Sequence, residues 1–153
     1  MSSLEAKVPP PAVAAAIAVA MWGASKLVPA LQVSSSLRLG AAAAILFLGI
    51  AFSAAGLLAF RRARTTVNPT RPEKATSLVN SGVYRITRNP MYVGLSCVLV
   101  AWAVFLSSAW ALLGPVTFVF YIGRFQIPPE ERALTKLFAS EYLAYQARVR
   151  RWL

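Results

Sequence analysis

Gly82-Val83-Tyr84-Arg85-Ile86-Thr87-Arg88-Asn89-Pro90-Met91-Tyr92-Val93-Gly94 sets a polar, turn-forming cluster directly against the start of a long uncharged segment. Glycine admits a positive φ, asparagine caps helix N-termini, and proline fits the first helical position. The stretch therefore reads as a loop closing at Asn89 and a helix opening at Pro90, with Tyr84 and Tyr92 as an interfacial aromatic belt. Downstream, Met91 to Gly123 runs 33 residues without a charge. One span needs about 20 residues, so this length fits a hairpin of two short or tilted helices, turning near Leu106-Ser107-Ser108. Gly114-Pro115 should kink the second arm, because proline removes a backbone hydrogen bond.

Upstream, Leu39 to Phe60 is another uncharged run, of 22 residues, stopped by Arg61-Arg62. Gly40, Gly49 and Gly56 would allow close helix approach within it. Ser34-Ser35-Ser36 reads as a turn before it. The first apolar segment, 12–33, follows Pro9-Pro10-Pro11 and is interrupted by Lys26 and Pro29. It reads as a transmembrane helix. The alternative, a signal peptide with Lys7 ahead of a short apolar region, fits poorly with Glu5 and the prolines.

Composition agrees. Hydrophobic residues make up 58% of 153 residues and mean hydropathy is +0.58, too apolar for a soluble domain of that size. Sixteen Lys+Arg stand against five acids, all glutamate, for a net charge of +11. One basic group (Arg61, Arg62, Arg64, Arg71, Lys74, Arg85, Arg88) fills the connection between apolar segments, and a second lies between Arg124 and Arg151. The positive-inside rule places both on the cytoplasmic side, and the inner membrane is the expected location. Nucleic acid is not an expected partner, since its basic footprint needs a soluble face. With no His, no Asp and one Cys, no metal site is expected, and Ser-His-Asp and Cys-His catalysis are excluded.

The expected architecture is an all-α, polytopic membrane protein forming one domain over 1–153. Its transmembrane helices span 12–33 and 37–60, a cytoplasmic loop covers 61–90, and a helical hairpin covers 91–127. Both termini are cytoplasmic. A C-terminal cytoplasmic amphipathic helix, 129–152, opens on Pro129 and two glutamates. Leu134, Leu137, Phe138, Glu141, Tyr142, Tyr145, Val149 and Trp152 recur on one of its faces. Glu130 lies four residues before Leu134, on that inward stripe, where a carboxylate needs a partner. Glu131, turned about 100° away, fits helix-dipole compensation or a salt bridge. Arg88 and the glutamates then meet at one membrane face, which points to a ligand carrying both charge signs.

Ser81-Gly82-Val83-Tyr84, Arg88-Asn89-Pro90-Met91-Tyr92-Val93-Gly94, and Glu130-Glu131 followed by Leu134, Phe138, Tyr142, Tyr145 and Val149 together resemble the C-terminal half of isoprenylcysteine carboxyl methyltransferases and their bacterial relatives. That group is similar to phospholipid methyltransferases. The resemblance covers about residues 65–152. It implies S-adenosylmethionine as cofactor and a cytoplasmic site in which Thr76, Ser77, Leu78, Val79 and Tyr84 line the cofactor. It further implies that Arg88, Asn89, Pro90, Met91 and Tyr92 hold its polar end, and that Glu130 accepts a hydrogen bond from it. Arg124 and Glu131 are the catalytic candidates.

Two departures stand out. The family's Arg-His-Pro is Arg88-Asn89-Pro90 here, so a group that can be protonated is replaced by a neutral amide. The prenylcysteine enzymes place an arginine facing the substrate carboxylate where this chain has Gln126, with Arg124 two residues earlier. Arg124 serves there by a local shift, or is an arginine snorkelling at a helix end. For Thr76 to Val79 the plain alternative is a surface turn.

The expected acceptor is a lipophilic small molecule, a carboxylate or thiol before an amine, entering from membrane lipid. A lipid amine N-methyltransferase, a non-catalytic protein of the same fold and a sterol-reductase-like enzyme are the rivals. Gly and Ala faces in the first half leave homo-oligomerisation open.

Overall fold

The computed structural model describes residues 8–65 and 74–153. Glu5, Lys7, Pro69, Arg71 and Pro72 lie outside the described residues. All regular structure among those described is helical: α1 (Pro10–Ser25), α2 (Ser35–Arg62), α3 (Pro90–Leu106), α4 (Leu113–Tyr121) and α5 (Ile127–Arg148).

Helix α1 opens within the proline run, two residues before the expected start, with Pro10 in its first turn and Pro9 preceding it. It is shorter than the expected 12–33. It stops at Ser25, and the chain from Lys26 to Ser34 forms no helix before Pro29 and the serine turn lead into α2. Helix α2 runs through the whole apolar segment and ends on Arg61 and Arg62. Two helical stretches, Ser35–Arg62 and Ala109–Arg148, are long and apolar enough to cross a membrane, while α1 and α3 are shorter apolar helices. Side chains such as Phe47, 71% exposed, cover much of α2 with apolar surface that water would not favour. In the second stretch the uncharged part ends at Gly123, and α5 beyond it carries Glu130, Glu131, Arg132 and Lys136. We take α5 as lying outside the membrane-crossing part.

Helices α2 and α3 pack at backbone distance. A Cβ added to Gly94 would lie 2.6 Å from the Gly49 carbonyl, and one added to Gly49 would lie 2.8 Å from the Gly94 carbonyl. Gly56 lies against the side chains of Met91 and Pro90, whereas Gly40 has nothing within 4 Å. The chain turns at Ser107, whose φ of 51° ends α3. That turn is tied to the α1–α2 connection by Leu31 N–H to the Ser107 carbonyl (2.7 Å) and Ser107 Oγ to the Leu31 carbonyl (2.9 Å). The indole of Trp102 donates to the Ala18 carbonyl at 3.0 Å, fixing α1 on α3.

Three expectations are corrected. Gly114-Pro115 lies in the first turn of α4, where proline removes no needed bond, and a short 3-10 turn (Ala109–Leu112) precedes it. The chain does not break at Pro128-Pro129, because a π-helical turn, Ile122–Gln126, carries α4 into α5. The break comes instead at Ala139, with φ 39° and ψ −117° inside α5. Single-stripe packing over 129–152 therefore fails. Leu134, Phe138, Tyr142, Tyr145 and Val149 share one apolar cluster with Phe60, Val79 and Tyr84. Leu137 and Glu141 are exposed, and Trp152 joins the other core with Tyr92, Phe118 and Ile122.

Candidate functional site

The first turns of α3 and α5 meet at one end of the bundle. Tyr92, 7% exposed, donates its hydroxyl to Glu130 Oε1, and Gln126 Nε2 donates to the same oxygen at 2.7 Å. The π turn brings this about. Gln126 closes it at 2% exposure, one helical turn before Glu130. Burial pushes the Glu130 carboxyl up to about 7, against the lowering effect of its bonds from Tyr92 and Gln126, with Glu131 adding a smaller push upward. Glu130 is thus a carboxyl poised near neutrality, held by two donors on the inward face that its spacing from Leu134 indicated.

Glu131 occupies a different environment. Arg151 grips it with both ends of its fork, Nε to Oε1 at 3.1 Å and Nη2 to Oε2 at 2.6 Å, and Arg88 Nη1 lies 3.3 Å from Oε1. The Nε of Arg88 is buried with no hydrogen-bond partner. A buried guanidinium N–H without a partner is costly unless a ligand accepts from it.

The loop before α3 is fixed by the chain terminus. Arg88 N–H donates to the Arg150 carbonyl (2.9 Å), while Thr87 Oγ1 (3.2 Å) and Asn89 Nδ2 (2.8 Å) donate to the Arg151 carbonyl. Asn89 stands at the N-cap position of α3, but its side chain makes no capping bond and points to the tail instead. Gly82 has the expected positive φ, 60°. Tyr84 and Tyr92 do not form an interfacial belt, since both are buried. The Tyr84 ring meets Phe60 edge-on at 5.6 Å, and its carbonyl accepts from the Tyr145 hydroxyl at 2.7 Å. Burial, then Tyr145 and Glu130, push the Tyr84 phenol upward, so it stays neutral.

The remaining candidates divide. Ser77 Oγ donates to the Ala63 carbonyl (2.9 Å) and Thr76 Oγ1 to that of Arg64 (3.3 Å), tying this strip to the end of α2. Leu78 and Val79 pack into the tyrosine cluster. Pro90 is buried and Met91 abuts Gly56. Arg124 is exposed and lies over the Phe125 ring, 5.5 Å from its centroid, so it does not join this cluster. Gln126 takes the inward place, and the local shift does not occur. Arg151 is a further member of the cluster. Sequence offers no local signal for it, because its approach to Glu131 depends on the reversal at Ala139.

Apolar helices carry a cluster of carboxyl, phenol and guanidinium groups at one end of a membrane-associated protein. A family model described as phospholipid methyltransferase matches residues 37–141, and the chain belongs to that family. The family's reaction is methyl transfer. An uncharacterized protein of Haemophilus influenzae (strain ATCC 51907 / DSM 11121 / KW20 / Rd) is 43% identical over 63 residues, covering 41% of this chain and 100% of that protein. No solved structure matches.

Proposed function

We propose that the protein transfers a methyl group from S-adenosylmethionine to a lipophilic small acceptor at the cytoplasmic membrane face. In this reading the chain crosses the membrane four times, both termini are cytoplasmic, and the apolar hairpin admits the acceptor from the bilayer. The observation that carries it is the Tyr92–Glu130–Gln126 cluster beside the buried, unpartnered Nε of Arg88. A carboxyl and a guanidinium at one place fit a cofactor whose amino acid end carries an ammonium and a carboxylate.

The cofactor supplies an activated methyl on a sulfonium. The protein's part is alignment and exclusion of water. Glu130 offers an acceptor to the cationic end, and Tyr92 and Gln126 hold that carboxyl in one orientation. Arg88 offers a donor to the anionic end. With the cofactor held by Glu130 and Arg88, its sulfonium would supply the methyl group to the acceptor's lone pair and would leave as a neutral thioether. A carboxylate or thiolate acceptor needs no base.

Calorimetric titration of the detergent-purified protein with S-adenosylhomocysteine tests the proposal. The expected result is micromolar binding that is lost in Glu130→Gln and weakened in Tyr92→Phe. Folded wild-type protein that takes up no S-adenosylhomocysteine would leave only common ancestry with methyltransferases.

A further inference from the structure

The terminus beyond α5 makes more contacts with the site than a passive tail would. Thr87, Arg88 and Asn89, the last residues before α3, all donate to the carbonyls of Arg150 and Arg151. The side chain of Arg151 then turns the other way and holds Glu131 through two nitrogens. Trp152 follows and anchors the segment in the same core as Tyr92 and Ile127.

We propose that residues 149–152 form a clasp across the site, with Arg151 as a positioning residue that sets the loop before α3 in register with the first turn of α5. The clasp joins the two elements whose side chains form the Tyr92–Glu130 bond. Tyr92 lies in the first turn of α3, directly after the clasped loop, and Glu130 is the neighbour of the clasped Glu131. The same geometry reassigns Asn89. Its amide nitrogen serves the Arg151 carbonyl, so Asn89 holds the clasp rather than a ligand. An amide is suited to this, because it donates at every pH, whereas an imidazole at that place would alternate with pH.

Arg151 suits its role by geometry. A planar fork fixes both the distance and the plane of a carboxylate, which an ammonium cannot do. Loss of Arg151 would remove a strong tie between the terminus and α5, while the covalent path through Ala139 stayed intact.

Hydrogen-exchange mass spectrometry of the full chain in detergent tests the clasp without reference to any cofactor. The inference rests on the methyltransferase reading only for a second measurement, S-adenosylhomocysteine affinity. In Arg151→Ala, exchange across residues 84–92 should rise about tenfold while α2 keeps its protection, and affinity should fall about tenfold. Arg151→Lys should recover part of both. Asn89→Ala should raise exchange in the same peptide. Glu131→Gln combined with Arg151→Ala should be no worse than the worse single variant, since Glu131→Gln already removes the Arg151 ion pair.

Unchanged exchange at 84–92 in Arg151→Ala overturns the proposal, as does loss of protection spread equally over α2 and α3, which would make Arg151 a general stabiliser. Asn89→Ala that weakens affinity without touching exchange would return Asn89 to the ligand. If the wild-type protein takes up no S-adenosylhomocysteine, the methyltransferase reading fails, and the exchange results still decide the clasp.

Discussion

Arg151 Nη2 lies 2.6 Å from Glu131 Oε2. In a straight helix the rise from Glu131 to the end of α5 alone would be about 25 Å. The contact therefore requires the helix to double back, and the one non-helical residue available is Ala139, with φ 39°. An alanine with positive φ and ψ of −117° occupies backbone territory that favours glycine.

Ala139→Gly should accordingly raise the thermal midpoint, with a net stabilisation of about 0.5–1 kcal/mol after glycine's extra unfolded-state entropy is counted. Ala139→Val should lower it. Thermal unfolding in one detergent measures both, and a lower midpoint for the glycine variant would contradict a strained reversal.

Gly94→Ala should destabilise the protein by about 1–3 kcal/mol, since its Cβ would clash with Ser53 Oγ and lie 2.6 Å from the Gly49 carbonyl. Gly40→Ala, with nothing within 4 Å, should be neutral or slightly stabilising. Equal midpoints for the two variants would refute backbone-distance packing of α2 on α3.

Stability should fall as pH rises from 4.5 to about 7 through Glu130. The folded chain keeps the proton in that window while the unfolded chain releases it, so folding is favoured below it and the advantage is gone above about 7. Glu130→Gln should lose this slope. Thermal midpoints at a series of pH values decide it, and identical slopes in both proteins would place the Glu130 carboxyl in its ordinary range.

Cysteines placed one at a time at Arg64 and Arg148, with Cys97 replaced by serine, should both react with an impermeant reagent from the cytoplasmic side of sealed vesicles. Both positions border elements that form the site end. Labelling from opposite sides would rule out the proposed topology.

Much of the fold was legible because its signals are local. Apolar run length gives α2 and the hairpin, Gly82 and Ser107 sit where turns were expected, and the four-residue step from Glu130 to Leu134 places that carboxylate inward. The rest depends on contacts distant in sequence. Alanine is a strong helix former, so nothing at Ala139 announces a reversal. Without that reversal Arg151 reads as one more exposed basic residue. The exchange of Arg124 for Gln126 was hidden for a related reason, since a π turn alters which residues of 122–126 face inward, and no residue there marks one.

The π turn also fixes which glutamate does which work. Such turns hold one residue more than an α turn, so the segment acts as a phase setter for everything after it. Removing one residue from Ile122–Gln126 would rotate α5 by about 100° relative to α4. Two adjacent, chemically identical carboxylates would then present different faces to Tyr92, and the distinction between a Glu130 held by Tyr92 and Gln126 and an ion-paired Glu131 would be lost without altering either residue.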